Sequence, residues 1–173
     1  EKDRLYDRIA SEVAPQLDKM DALLKRAEKE PSALFEVFTA IAVISAYVKR
    51  RGNLLLLSEY GEHIKAMELS YGIRESLDHL KAGGVFVSYD SACEGELLWA
   101  HTIAVYDFYE AVIEGLLDQI TAIIVHLSCQ NGVVSMRLQI GCRCDVDDAF
   151  LRSLSFPLGS LRYDVQESDL TMY

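Results

Sequence analysis

The sequence predicts an α+β fold in which an antiparallel helical hairpin precedes an α/β sandwich. Three observations carry that expectation. Apolar residues recur at helical spacing from Leu5 onwards, the pattern turns β-rich after Gly83-Gly84, and Asn131-Gly132 separates two further β-rich runs. The chain has 173 residues, 50% of them hydrophobic, which suits one domain or two small units sharing a core and excludes a disordered tail. Its mean hydropathy of +0.09 is high for an acidic chain and predicts apolar surface buried against a second copy.

From Arg4 to about Glu28, the residues Leu5, Ile9, Val13, Leu17, Met20 and Leu24 mark one face of a long amphipathic helix. Pro15 lies inside it, removes a backbone donor and crowds the preceding turn, which predicts a kink. Pro31 and Ser32 end this helix and open the next, Pro suiting a helix start and Ser a cap. The second helix carries Leu34, Phe38, Ile41 and Val48 at the same spacing, and Phe35, Val37, Ala40 and Val43 make it apolar on more than one face. A hairpin of two helices cannot cover so wide a surface, whereas pairing with a second hairpin into a four-helix bundle would. Lys49, Arg50 and Arg51 interrupt the pattern before Gly52-Asn53 and the run Leu54–Leu57. Cations placed there either favour a helix C-terminus or form a docking patch for an acidic partner.

A third helix with Ile64, Met67, Leu69, Ile73, Leu77 and Leu80 ends at Gly83-Gly84, which suits a left-handed cap. Residues 85–89 then read as a strand, 96–118 as a helix, and 122–127 and 133–140 as a hairpin closed by a type I′ turn. A short helix over 147–154 and strands over 161–165 and 170–173 complete the order, the last strand stopping as though cut. The expected division is a helical hairpin over 1–60 and an α/β unit over 61–173.

The net charge of −10, from 17 basic and 27 acidic residues, argues against nucleic acid as a partner, because phosphate contacts need clustered Lys and Arg. Residues 1–51 carry 10 basic and 9 acidic residues, whereas 52–173 carry 7 and 18, a net −11. A polyphosphate would bind the second unit against that field, or through a metal. The longest nearly uncharged run, 33–48, is shorter than the roughly 20 residues that cross a bilayer, so no transmembrane segment is expected, and no signal peptide. Cys93, Cys129, Cys142 and Cys144 are too few and too unevenly spaced for a disulfide scaffold, which favours a reducing, cytoplasmic setting. Cys142-x-Cys144 lacks a second thiol pair, and His63, His79, His101 and His126 are scattered, so no metal site is expected. Trp99, Tyr106, Phe108 and Tyr109 read as packing at helical spacing.

Two stretches carry a resemblance. They are Arg4-Leu5-Tyr6-Asp7-Arg8-Ile9 on the first helix, and residues 106–118, which end Glu114-Gly115-Leu116-Leu117-Asp118. With the element order, they resemble the cytoplasmic region of bacterial two-component sensor histidine kinases, in which a dimerisation and phosphotransfer hairpin precedes an ATPase module of the GHKL type. The resemblance implies that Tyr6 stands at the phospho-acceptor position, where the family has a histidine, and Asp7 at the adjacent acid position. A phenol, with an unperturbed pKa of about 10, is no nucleophile near neutral pH. No histidine precedes His63, so the hairpin also lacks the group a phosphotransferase on this scaffold would need. Glu114 matches the Glu of the family's first ATPase helix, and Asp118 stands where the family has the magnesium-binding Asn. The other reading of the pair is two acids one turn apart on a solvated face.

The family's Asp-x-Gly and glycine-rich lid are missing. The corresponding stretch reads Ile140-Gly141-Cys142-Arg143-Cys144-Asp145, and Gly159 is the one remnant of the second glycine box. Without glycines the backbone cannot approach phosphates closely. The expected function is therefore a degenerate signalling module of a sensor histidine kinase-like protein, with no catalytic residue of its own. It would act as a homodimer with a response regulator or a partner kinase. The alternative is an active ATP-dependent kinase with divergent motifs, in which Glu114 and Asp118 hold the magnesium of ATP. The expected location is the cytoplasm, with the membrane reached only through a region preceding residue 1.

Overall fold

The amphipathic period of the first segment is realised as α1 (Lys2–Lys29). The computed structural model describes residues 2–156, 158–166 and 169–173. α1 continues as one helix through Pro15, which sits on its exposed side. Pro31–Ala33 forms a single 3₁₀ turn, closed by Ala33 N–H donating to the Glu30 carbonyl at 3.0 Å. Ser32 lies inside that turn and does not cap the second helix, whose N-cap is Ala33 with no side-chain hydrogen bond. That helix, α2 (Leu34–Ser58), continues through Lys49–Arg51 and Gly52. The basic triplet is thus neither at a helix end nor an open patch: Arg50 and Arg51 both lie mid-helix in ion pairs.

Because α2 does not stop at the basic triplet, Pro31–Ser58 makes 28 helical residues, long and apolar enough by composition alone to cross a membrane. Its packing accounts for part of the apolarity, since 39% of its most apolar stretch is buried. Val43, Tyr47, Leu54 and Leu55 join the hydrophobic core, and Arg50 and Arg51 reach acids on three other helices.

The short strands β1 (His63–Lys65) and β3 (Glu96–Leu98) pair antiparallel, and each leads directly into a helix, α3 (Ala66–Ala82) and α4 (Trp99–Leu116). This ribbon has no sequence signal of its own, and residues 96–98, expected as helix, belong to it. α3 ends as expected. Val85 N–H donates to the Leu80 carbonyl and Gly84 N–H to that of Lys81, with Gly84 at φ +91°, the Schellman arrangement that glycine permits.

Five strands form the main sheet: β2 (Phe86–Cys93), β4 (Ile120–Gln130), β5 (Val133–Cys142), β6 (Tyr163–Gln166) and β7 (Asp169–Met172). They lie in the order β2-β4-β5-β7-β6, with β2 and β4 parallel and the other neighbours antiparallel. Asn131 at φ 52° and Gly132 at φ 77° close the two-residue β4–β5 turn. α5 (Asp148–Ser153) starts where the Asp147 carboxylate accepts from Ala149 N–H at 2.8 Å.

Alternate residues of the sheet, among them Ile123, Val125, Leu127, Leu138, Ile140 and Leu170, face α3 and α4, and the buried part of α2 belongs to the same continuous core. The cysteine reading needs correction. The parallel register sets Cys93 opposite Cys129, their Cα atoms 4.4 Å apart, and a disulfide joins them, while Cys142 and Cys144 remain free. A spacing of 36 residues hides this pairing, because it depends on how two strands register across a whole crossover.

The junction of α3 with α2 is tight at Gly83, where an added Cβ would lie 2.2 Å from Thr39 Cγ2 and 3.0 Å from Thr39 Cβ. Gly83→Ala is expected to destabilise the chain by about 1–3 kcal/mol in denaturant unfolding. Combining it with Thr39→Ala should recover more than half of that loss, and purely additive effects would refute the contact.

Candidate functional site

The helical hairpin meets α4 along an ionic seam. Successive residues of a helix point about 100° apart, so neighbouring arginines of α2 serve different partners. Arg50 turns to α3, with Nη1 3.2 Å from Glu68 Oε2 and Nη2 3.3 Å from Glu75 Oε2, and Lys49 also pairs with Glu75. Burial tends to raise the Glu75 carboxyl, yet Lys49 and Arg50 outweigh it and hold the group below its ordinary value. Arg51 joins α1 to α4: Nη2 is 2.8 Å from Glu12 Oε2, and Nε is 2.9 Å from Asp107 Oδ1. Tyr47 donates its hydroxyl to the same Asp107 oxygen at 2.9 Å. Burial pushes the Asp107 carboxyl upward, with Arg51 and Tyr47 opposing.

One turn beyond Asp107 along α4 the seam becomes less satisfied. Glu110 is 1% exposed, and no protein group donates to either of its oxygens. Burial, reinforced by Glu114, raises its carboxyl well above the ordinary range, with Lys19 opposing and Asp107 adding to the rise. Folding therefore favours its protonated form. Lys19 of α1 reaches past it to Glu114, its Nζ 3.1 Å from both Oε2 and the backbone carbonyl. Arg26 Nη1 lies 3.5 Å from Asp118 Oδ1.

Tyr6, at the phospho-acceptor position, is 63% exposed on α1, and Asp7 beside it is exposed as well. Arg8, one turn from Glu12, pairs with it at 2.9 Å and stands over the Trp99 ring at 5.9 Å. Arg8, Trp99, Arg51, Asp107 and Ser153 line a groove of about 510 Å³ between α1, α4 and the end of α5. Glu114 and Asp118 do fall on one side of α4 and the turn after it, as their spacing implies, and each is engaged by a cation of α1. Among the described residues no three acids, cysteines or histidines converge on a point that could hold a metal ion. A magnesium ion there would have to displace Lys19 and Arg26, so the residues present do not fit a magnesium–nucleotide site.

The remaining candidates stay dispersed. His126 approaches Asp90 at 3.8 Å on the open side of the sheet, and burial raises the Cys142 thiol to about 11, which makes it a poor ligand and nucleophile. Sequence reasoning singled out Arg51 only within the basic triplet and missed its partner Asp107 and the buried Glu110 one turn further on. One signal was available: Glu110 interrupts an α4 whose neighbours Tyr106, Tyr109, Val112 and Ile113 are all buried.

Glu110 binds its proton more tightly in the folded than in the unfolded chain. Its contribution to stability is therefore complete below the ordinary value of 4.5 and is lost as pH rises toward the folded value. Glu110→Gln should raise the Tm at about pH 8 and leave it nearly unchanged at about pH 4, read by calorimetry across the range. An equal effect at both ends would show that Glu110 is not held neutral.

No protein-family model matches the sequence, and no curated protein matches it. Solved structures do. A bacterial phosphotransferase superposes with a TM-score of 0.50 at 10% identity, over 97% of this chain and 92% of that one. The histidine kinase domain of a blue-light activated histidine kinase from Erythrobacter litoralis gives 0.54 at 14% identity, over 94% and 93%. The longer structure of that kinase gives 0.51 at 13%, over 99% of this chain and 62% of that one. The helical hairpin followed by a mixed sheet under helices is therefore a sensor histidine kinase-like fold.

Proposed function

We propose that this chain is the dimerising signalling module of a sensor histidine kinase-like protein, and that it works without phosphoryl transfer of its own. One observation carries the reading: Glu114 and Asp118, where the resemblance would put magnesium, are both occupied by Lys19 and Arg26 of the hairpin. Tyr6 in place of a histidine, and the missing glycine boxes, support it from the sequence side. The module transmits by a change in packing between the hairpin and α4. Such a change needs two arrangements of similar energy, which a seam built from ion pairs and a buried, unpartnered Glu110 supports better than a seam of interlocked hydrocarbon.

The dimer forms through the outer face of the hairpin. Leu17 and Leu24 on α1 and Phe35 and Phe38 on α2 are large apolar side chains left exposed, at spacings that keep them on the outer sides of their helices. A second hairpin covering them makes a four-helix bundle. A response regulator or a partner kinase reads its state, in the cytoplasm.

Calorimetric titration with ATP and magnesium should show no saturable heat. Saturable binding abolished by Glu114→Ala would instead establish the working-kinase reading. In light scattering, the parent chain is expected to be a dimer at micromolar concentration and Phe38→Glu a folded monomer. A monomeric parent would overturn the bundle.

A further inference from the structure

A second cavity, of about 540 Å³, opens between α4, the inner face of β5 and β7, and residues 158–162. Gly159, the remnant of the second glycine box, stands in its wall, whereas Tyr6, Asp7, Glu114 and Asp118 do not. Its size falls within the range of small-molecule sites. Val105 and Phe108 of α4, Met136 and Leu138 of β5, Leu161, and Met172 of β7 make an apolar body. The polar part is one-sided in charge. The chain carries 27 acidic against 17 basic residues, yet among the described residues no Asp or Glu lines this cavity, whereas Arg162 and His101 do. Tyr173, also in the wall, holds Arg137 over its ring with Cζ 4.9 Å from the centroid. Arg162 and Tyr173 exchange both backbone hydrogen bonds, at 3.1 and 2.8 Å, so the cationic rim is anchored to the sheet.

We propose that this cavity is a binding site for an amphiphile with a single anionic head, a medium- or long-chain carboxylate. The hydrocarbon lies along α4 and β5, where each methylene removed from water adds to affinity. The carboxylate meets Arg162 at the rim, a charge-assisted contact that a guanidinium suits. A nucleotide fits this lining less well. No acid is present to accept from a base amino group, and a single cation at the rim leaves a polyphosphate largely uncompensated.

The test is titration of the chain with decanoate below its micellar concentration, beside 1-decanol and ATP. Decanoate should bind saturably at one site, and Met136→Trp, which fills the apolar body, should abolish that binding. Arg162→Ala should weaken decanoate about tenfold, equivalent to the loss of one charged contact, and leave 1-decanol unchanged. If Met136→Trp fails to fold by circular dichroism, Arg162→Glu on its exposed side chain makes the same discrimination. No saturable decanoate binding, equal loss of both ligands on Arg162 substitution, or displacement of decanoate by ATP would overturn the assignment. Because this cavity shares no residue with Glu114, Asp118, Lys19 or Arg26, failure here leaves the signalling proposal untouched.

Discussion

Two adjacent arginines in the middle of α2 organise the molecule. Arg50 and Arg51 are 17% and 10% exposed, and each needs acids supplied by another element. Because neighbours on a helix diverge by about 100°, one arginine ties α2 to α3 and the other ties it to α1 and α4 at once. Removing one member of such a buried pair leaves an unpaired charge, which costs far more than the pair itself contributes. The relative placement of four helices is therefore fixed at one point, and the sheet follows because α3 and α4 pack on it.

The same point defines where the structure is less settled. From Arg51 toward Asp118 the seam passes from a guanidinium shared by Glu12 and Asp107, through a buried Glu110 to which no described group donates, to the more open contacts of Lys19 and Arg26. The hairpin is thus held firmly near the centre of α2 and more loosely at the junction of its two helices. An arrangement of that kind favours pivoting about the centre over wholesale separation, since the ion pairs that join several helices meet there.

Much of the architecture was legible because local chemistry dictated it. Gly84 supplied the positive φ that the end of α3 requires, and Asn131-Gly132 supplied two in succession for the hairpin. The β-rich runs over 122–127 and 133–140 fall within β4 and β5 as expected. What could not be read depended on tertiary partners. The triplet Lys49–Arg51 looks like a helix end until Glu12, Glu68, Glu75 and Asp107, far apart in sequence, are brought around it. The Cys93–Cys129 bridge waits on a strand register, and the β1–β3 ribbon on the close return of one chain segment to another. In the candidate site, the resemblance located the helix that matters but not the residues. Glu114 and Asp118 were read for a ligand, whereas their partners come from the hairpin itself.

The strand order carries a consequence for how the chain assembles. β4 and β5 are joined by two residues and pair almost as soon as they exist, but β2 can reach β4 only after residues 94–119 have formed their crossover. Closing the longer loop has the larger entropic cost, so the β2 edge joins after the β4–β5 hairpin. The Cys93–Cys129 bridge sits at the far end of that same pairing. Once formed, it turns an edge strand that joins after the hairpin into one that can fray from its Phe86 end but cannot leave.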